Sequence, residues 1–178
     1  MDKNLVNELA QAWVEGDMKA FSKLYDHFVD KIYKFVFFKV PYSEAEDLTE
    51  NIFVKILENA NHYAVQKGSF TTWIYTIARN TVIDFYRTNK SVLTLDEAML
   101  VQDNSQDNHS KAALVLNSVI LKKSIAKLSK KYQDLVVLRF VDDMSYSEIA
   151  DILNKTEGSV RVDMHRALKQ LKADLGNL

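Results

Sequence analysis

The residues best suited to chemistry stand close to the end of the chain. In EGSVRVDMHRALKQL, Glu157 to Leu171, the cations Arg161, Arg166 and Lys169 recur with His165 at spacings that gather them on one side of a helix. Groups so arranged bind phosphates and guanine edges, while Val162 suits a thymine methyl and Gly158 leaves room for a phosphate at the helix start. Elsewhere the candidates disperse. Glu44, Glu46 and Asp47 open a helix, where they meet its positive dipole end, and the four histidines are scattered. No glycine-rich phosphate loop or nucleophile constellation accompanies them, so an enzyme is not expected. His165 has no ligand partner at metal-binding spacing and the chain has no cysteine, so neither a metal nor a cofactor is expected.

A reading surface needs a framework behind it. At 100° per residue, Val160, Met164, Ala167, Leu168, Leu171 and Leu175 form one apolar stripe, opposite Gly158, Val162, His165, Arg166 and Lys169, with Ser159 and Arg161 on the two flanks. Asp163 counts against a strong reader, since a carboxylate repels phosphate, but its expected place on the flank limits that repulsion. Before this helix, Ser145 and Glu148 form a capping box opening a short helix to Leu153, with Ile149, Ala150 and Leu153 inward. Asn154 and Lys155 turn the chain and Thr156 caps the next helix, which Gly176 ends. Two helices across a tight turn, with small Ala150 allowing a close crossing, make a helix-turn-helix.

Composition sets the class. With 178 residues, 47% hydrophobic content, one proline, four glycines and no cysteine, the expectation is all-α, with real cores and without disulfides. No apolar run, FVFF included, approaches the length needed to span a membrane and the N-terminus lacks a signal-peptide pattern, so a cytoplasmic protein without membrane insertion is expected. The net charge of -1 conceals segregation: Met1–Gln66 carries -4, Lys67–Lys90 +3, Ser91–Ser110 -4 and Lys111–Leu178 +4.

Along the chain, Asp17 caps a long helix with Phe21, Leu24, Tyr25, Phe28, Ile32, Phe35 and Val36 at helical spacing, stopped by Pro41. Ser43 with Glu46 predicts a capping box for a helix to about Ala60, with Ala45, Leu48, Ile52 and Ile56 inward. Phe53, Val54 and Leu57 lie off that stripe among Glu46, Asp47 and Glu50, which predicts either a second contact surface or burial between two helices. Ser69 or Thr71 caps a third helix, with Ile74, Ile77, Ala78, Thr81 and Phe85 on one face and Tyr75, Thr76, Arg79, Asn80, Ile83 and Arg87 on the other. Periodicity is then lost in SVLTLDEAMLVQDNSQDNHS, and resumes in helices expected over 112–127 and 129–141, followed by a turn at Asp142-Asp143. The expected architecture is therefore all-α: two small helical domains, 1–90 and 112–178, joined by a flexible acidic linker at 91–111, the second domain a helix-turn-helix.

SYSEIADILNKTEGSVRVDMHRALKQL closely resembles the fourth conserved region of bacterial extracytoplasmic-function (ECF) sigma factors, and SEAEDLTENIFVKIL followed by SFTTWIYTIARNTVIDFYR resembles their second region. The resemblance covers nearly the whole chain. It implies a sigma factor that binds the β and β′ subunits of RNA polymerase core, melts the -10 element and reads the -35 element of promoter DNA. Carried over, Glu46, Asp47, Glu50, Phe53, Val54 and Leu57 fall on the polymerase-docking helix. Phe70, Trp73, Tyr75, Thr76, Arg79, Asn80 and Arg87 fall where the opened -10 strand is captured, and Ser159, Arg161, Val162, His165, Arg166 and Lys169 on the -35 reader. It implies an anti-sigma partner and a monomer, whether free or in holoenzyme. The chain departs from the pattern at four residues: Asn154 stands where glycine is usual, Glu50 and Asn51 stand in a Gln-Glu position, and Asp163 is acidic within the reader.

Magnitudes require a partner. Opening ten stacked steps costs on the order of 14 kcal/mol, whereas stacking one base on an aromatic returns about 1 to 3 kcal/mol. One small aromatic cluster cannot hold a bubble alone. The acidic first 66 residues suit a basic protein surface, and the acidic linker can mimic nucleic acid and keep the free chain off DNA. The alternative, an autonomous helix-turn-helix regulator, would bind a palindrome as a dimer and leave the aromatic, basic Ser69–Arg87 helix without a task.

Overall fold

A computed structural model describes residues 1–64, 66, 68–89 and 120–175. The described residues are all-helical and contain no strand. Four helices, α1 (Lys3–Val14), α2 (Met18–Phe37), α3 (Tyr42–Glu58) and α4 (Phe70–Thr88), form an N-terminal bundle. Helical residues 120–126, α5 (Lys130–Phe140), α6 (Tyr146–Leu153) and α7 (Glu157–Leu175) form the C-terminal body. The acidic linker expected at 91–111, the segment 112–119 and Gly176 lie outside the described residues.

Each bundle is closed by the stripe that its helical period dictates. Leu24, Phe28, Ile32, Phe35, Ile52, Ile56, Phe70 and Ile74 are buried in the first, and Ile125, Leu135, Leu138, Ile149, Val160, Met164 and Ala167 in the second. Helix α1 is an addition to the sequence reading. Its three buried residues, Val6, Ala10 and Trp13, make a short stripe, and Asn7 beside it accepts a hydrogen bond from the Phe70 backbone N–H at 3.0 Å. Together with Ser69 Oγ, which accepts from Thr72 N–H at 3.2 Å, α1 therefore satisfies two of the orphan donors at the start of α4.

Local signals were followed with two exceptions. Asp17 caps α2 through Lys19 and Ala20, and the Ser145–Glu148 capping box is complete. Thr156 Oγ1 accepts from Ser159 N–H at 3.3 Å, as a cap for α7 should. The Ser43–Glu46 box expected for α3 does not form: the helix starts at Tyr42 behind Pro41, whose fixed φ of -52° already leads into it, with no side-chain cap bond there. The second exception is α4. The face opposite its expected core face is half covered, because the C-terminal body packs on it at Tyr75 and Arg79.

That packing is built around charge. Lys39, at the end of α2, and Arg79, on α4, both donate to the buried Asp134 carboxylate on α5, Arg79 through Nε to Oδ2 at 2.9 Å. Burial pulls the Lys39 ammonium below its ordinary pKa, and the nearby Arg79 and Lys130 charges add to the effect. Tyr86 donates its hydroxyl to the Lys39 carbonyl, and the Lys130 ammonium lies 4.1 Å from the centre of the Tyr86 ring. Tyr75, only 1% exposed, lies against the carboxylate of Asp142, whose oxygens are themselves buried. Burial pushes the Asp142 carboxyl up to about 7, against the pull of Tyr75, Lys31 and Lys34. At the other edge, Lys3 reaches Glu148 at 3.0 Å.

Candidate nucleic-acid and polymerase interfaces

Helix α7 presents its polar residues as its period requires. Ser159, Arg161, Val162, His165, Arg166 and Lys169 are exposed, Val162 by 52%, while Val160, Met164, Ala167 and Leu171 are buried. Leu168 leaves the expected stripe and is 38% exposed. Asp163 is the main correction. It is not on the solvent flank but 4% exposed, accepting from Lys131 of α5 at 2.7 Å and from Lys155 of the turn at 2.9 Å. Burial pushes its pKa up, yet these hydrogen bonds and charges outweigh burial and hold it below the ordinary carboxylate value. Asp163 therefore ties three segments of the helix-turn-helix together and does not point at phosphate.

The turn explains the second departure. Asn154 has φ 51° and ψ 55°, the left-handed conformation that glycine adopts without strain and that asparagine tolerates better than most residues. The backbone task usually given to glycine is thus kept.

On α3, exposed Glu46, Asp47, Glu50, Val54 and Leu57 form a mixed acidic and apolar strip; Val54 is 50% exposed. Phe53 belongs partly to the core: it is 6% exposed, with its ring 4.7 Å from that of Tyr25.

The α4 candidates separate by depth. Phe70 and Tyr75 are buried, Trp73, Thr76 and Arg79 are half-buried, and Asn80 and Arg87 are exposed. Trp73 packs in an aromatic cluster, 5.7 Å from Phe70, 5.4 Å from Tyr63 and 6.4 Å from Trp13 between ring centres. An open cleft of about 280 Å³ runs between α3 and α4, lined by Lys55, Asn59, His62, Trp73, Asn80 and Thr81 among others. Lys55, Asn59 and His62 had no sequence signal of their own beyond Lys55 being the one cation in an otherwise acidic α3. The structure brings Asn80 and Trp73 together at this cleft and places Tyr75 and Arg79 on another side, against α5 and its following turn. Among the described residues, no group of acidic, histidine or cysteine side chains could hold a metal ion.

Comparison with known proteins bears on both bodies. Residues 24–92 match the model of Sigma-70 region 2 and residues 118–171 that of Sigma-70, region 4. The ECF RNA polymerase sigma factor SigW of Bacillus subtilis is 31% identical over 176 residues, covering 92% of this chain and 93% of SigW. The chain belongs to the ECF RNA polymerase sigma factors. The ECF sigma factor BldN of Streptomyces coelicolor is 28% identical over 173 residues, and the alignment spans 96% of this chain and 66% of BldN. The solved structure of the sigma factor RpoE in complex with the anti-sigma factor NepR from Bartonella quintana has the same fold, with a TM-score of 0.71, 20% identity and coverage of 89% of this chain and 98% of that one. This ECF sigma factor is accordingly a promoter-recognition factor of transcription initiation, not an autonomous regulator.

Proposed function

We propose that this sigma factor divides promoter recognition between its two bodies. Helix α7 enters the major groove of the -35 element with Ser159, Arg161, Val162, His165, Arg166 and Lys169, whose common exposed face is the observation that carries the reading. The opened -10 strand lies along α4. Asn80 and Arg87 reach it directly, Trp73 and Thr76 flank it, and Phe70 and Tyr75 support the surface from beneath. Arg79 joins them when α5 withdraws.

The α3 strip of Glu46, Asp47, Glu50, Val54 and Leu57, with Phe53 behind it, docks on the β and β′ subunits of polymerase core. Exposed apolar residues ringed by carboxylates fit a basic surface with an apolar centre. The protein works in the cytoplasm as a non-catalytic monomer, with no metal or cofactor, and an anti-sigma factor restrains it, as NepR accompanies RpoE. Domains 1–90 and 112–178, joined by the acidic 91–111 linker, are the working units. No helix among the described residues is long and apolar enough to cross a membrane.

Run-off transcription tests the division. Arg166→Ala should reduce initiation on a duplex promoter and on a pre-melted template alike, because the upstream contact is lost in both; full recovery on the pre-melted template would contradict the assignment of α7.

A further inference from the structure

Arg161 is held in place before any DNA arrives. Its Nε donates to Glu157 Oε1 at 3.1 Å, its Nη2 donates to the same oxygen, and its guanidinium carbon lies 4.6 Å from the centre of the Tyr146 ring. Tyr146 opens α6 and is half-buried against the core. The Arg139 guanidinium stands 5.4 Å from the same ring and is fixed in turn by donating Nη1 to the Met144 carbonyl at 2.8 Å. Arg166 and Lys169, exposed on the same helix, have no such restraint among the described residues.

We propose that Tyr146 and Glu157 are positioning residues for -35 reading: one ring and one carboxylate fix the Arg161 guanidinium so that it reads a base edge and does not merely attract phosphate. The inference rests on the proposed assignment of α7 to the -35 element. Among the described residues both Nη1 hydrogens and the second Nη2 hydrogen stay free, enough for the paired donation that guanine O6 and N7 accept. Glu157 cancels most of the arginine's net charge, so Arg161 adds little to sequence-independent attraction, whose strength follows the number of phosphates neutralised. The ring limits the rotamers of a long side chain that would otherwise lose freedom on binding. Tyr146 and Glu157 need touch no DNA to do this.

The test is selection of active promoters from a library randomised across the -35 element, using holoenzyme made with the full chain and Arg161→Ala, Tyr146→Ala, Tyr146→Phe or Glu157→Gln. Arg161→Ala should erase the base preference at one or two positions. Tyr146→Ala should lower preference at those same positions by about three-fold, the worth of an exposed cation–π contact, and Tyr146→Phe should restore it. Glu157→Gln, which leaves the ring in place, should weaken the same positions, and it carries the test if Tyr146→Ala fails to fold. An unchanged profile in Glu157→Gln, or in a folded Tyr146→Ala, while Arg161→Ala loses its positions, would overturn the positioning role and leave the reader intact. Failure of Tyr146→Phe to rescue would overturn it too. An unchanged profile in Arg161→Ala would instead remove the assignment of Arg161 to the -35 element.

Discussion

Arg79 Nε and Asp134 Oδ2 meet at 2.9 Å, joining α4 to α5 between residues 55 positions apart in sequence. One member belongs to the surface proposed to hold the -10 strand, and the other lies on the body that carries the -35 reader. While the contact lasts, Arg79 Nε is committed to Asp134 and only the rest of the guanidinium is left for DNA. Asp134 also holds Lys39, so this one buried carboxylate serves two cations.

Asp134→Ala should therefore open the molecule. Removing one partner of a buried pair typically costs about 3 to 5 kcal/mol by leaving a charge uncompensated, and separation of the two bodies lets Lys39 escape that cost. Small-angle X-ray scattering should show a larger radius of gyration for Asp134→Ala than for the native chain, while each body keeps its helical signal. Arg79→Ala should do less, because Arg79 is partly exposed and solvent already screens it.

The packing of the two bodies should also respond to acid, through Asp142 beside Tyr75 of α4. The Asp142 pKa is raised to about 7 in the packed state, so packing favours the neutral carboxyl. That contribution is complete below the ordinary aspartate value near 4 and is lost as pH rises through 7. The bodies should stay closed more firmly at about pH 5 than at about pH 7, and Asp142→Asn should flatten this dependence. Lys39, whose pKa is lowered, works in the opposite sense at alkaline pH, so scattering or a distance-sensitive fluorophore pair should be read on the acid side.

Within the helix-turn-helix, Asn154→Gly should hold or slightly raise stability, and Asn154→Ala should cost about 1 kcal/mol, because alanine pays for the left-handed conformation. Chemical denaturation separates the two. Asp163→Ala should destabilise the same body by about 1 to 2 kcal/mol, a figure reduced from that of a fully buried pair because Lys131 and Lys155 are partly exposed. Since the Asp163 pKa is lowered, its contribution is present above the ordinary aspartate value and fades as pH falls through the lowered one.

Much of this was legible in the sequence because it is local. The Ser145–Glu148 box, the Asp17 cap and the Val160, Met164, Ala167, Leu171 stripe follow from side chains within one or two turns of each other. Asp163 was not legible: periodicity puts it at the edge of the polar face, and only the approach of Lys131, 32 residues away, makes burial favourable. Tyr75 and Arg79 were hidden for a related reason. A helical pattern says which residues leave their own core, but not that a second body will cover them.

For docking on polymerase, Leu57→Asp and Val54→Asp should weaken core binding without loss of fold, since both side chains are already exposed. Phe53→Ala should lower core affinity as well, but its burial against Tyr25 means that it should also cost about 3 kcal/mol or more of stability. Titration of labelled core polymerase, with melting curves alongside, distinguishes the two effects.

The central claim is that this chain confers two-part promoter recognition on core polymerase. Run-off transcription from a randomised promoter library, sequenced after selection with purified core plus this protein, tests it most directly. The account predicts two short conserved elements at fixed spacing, with Arg166→Ala degrading only the upstream one and Asn80→Ala only the downstream one. Initiation no different from core alone, or enrichment of a single palindrome bound without polymerase, would contradict it.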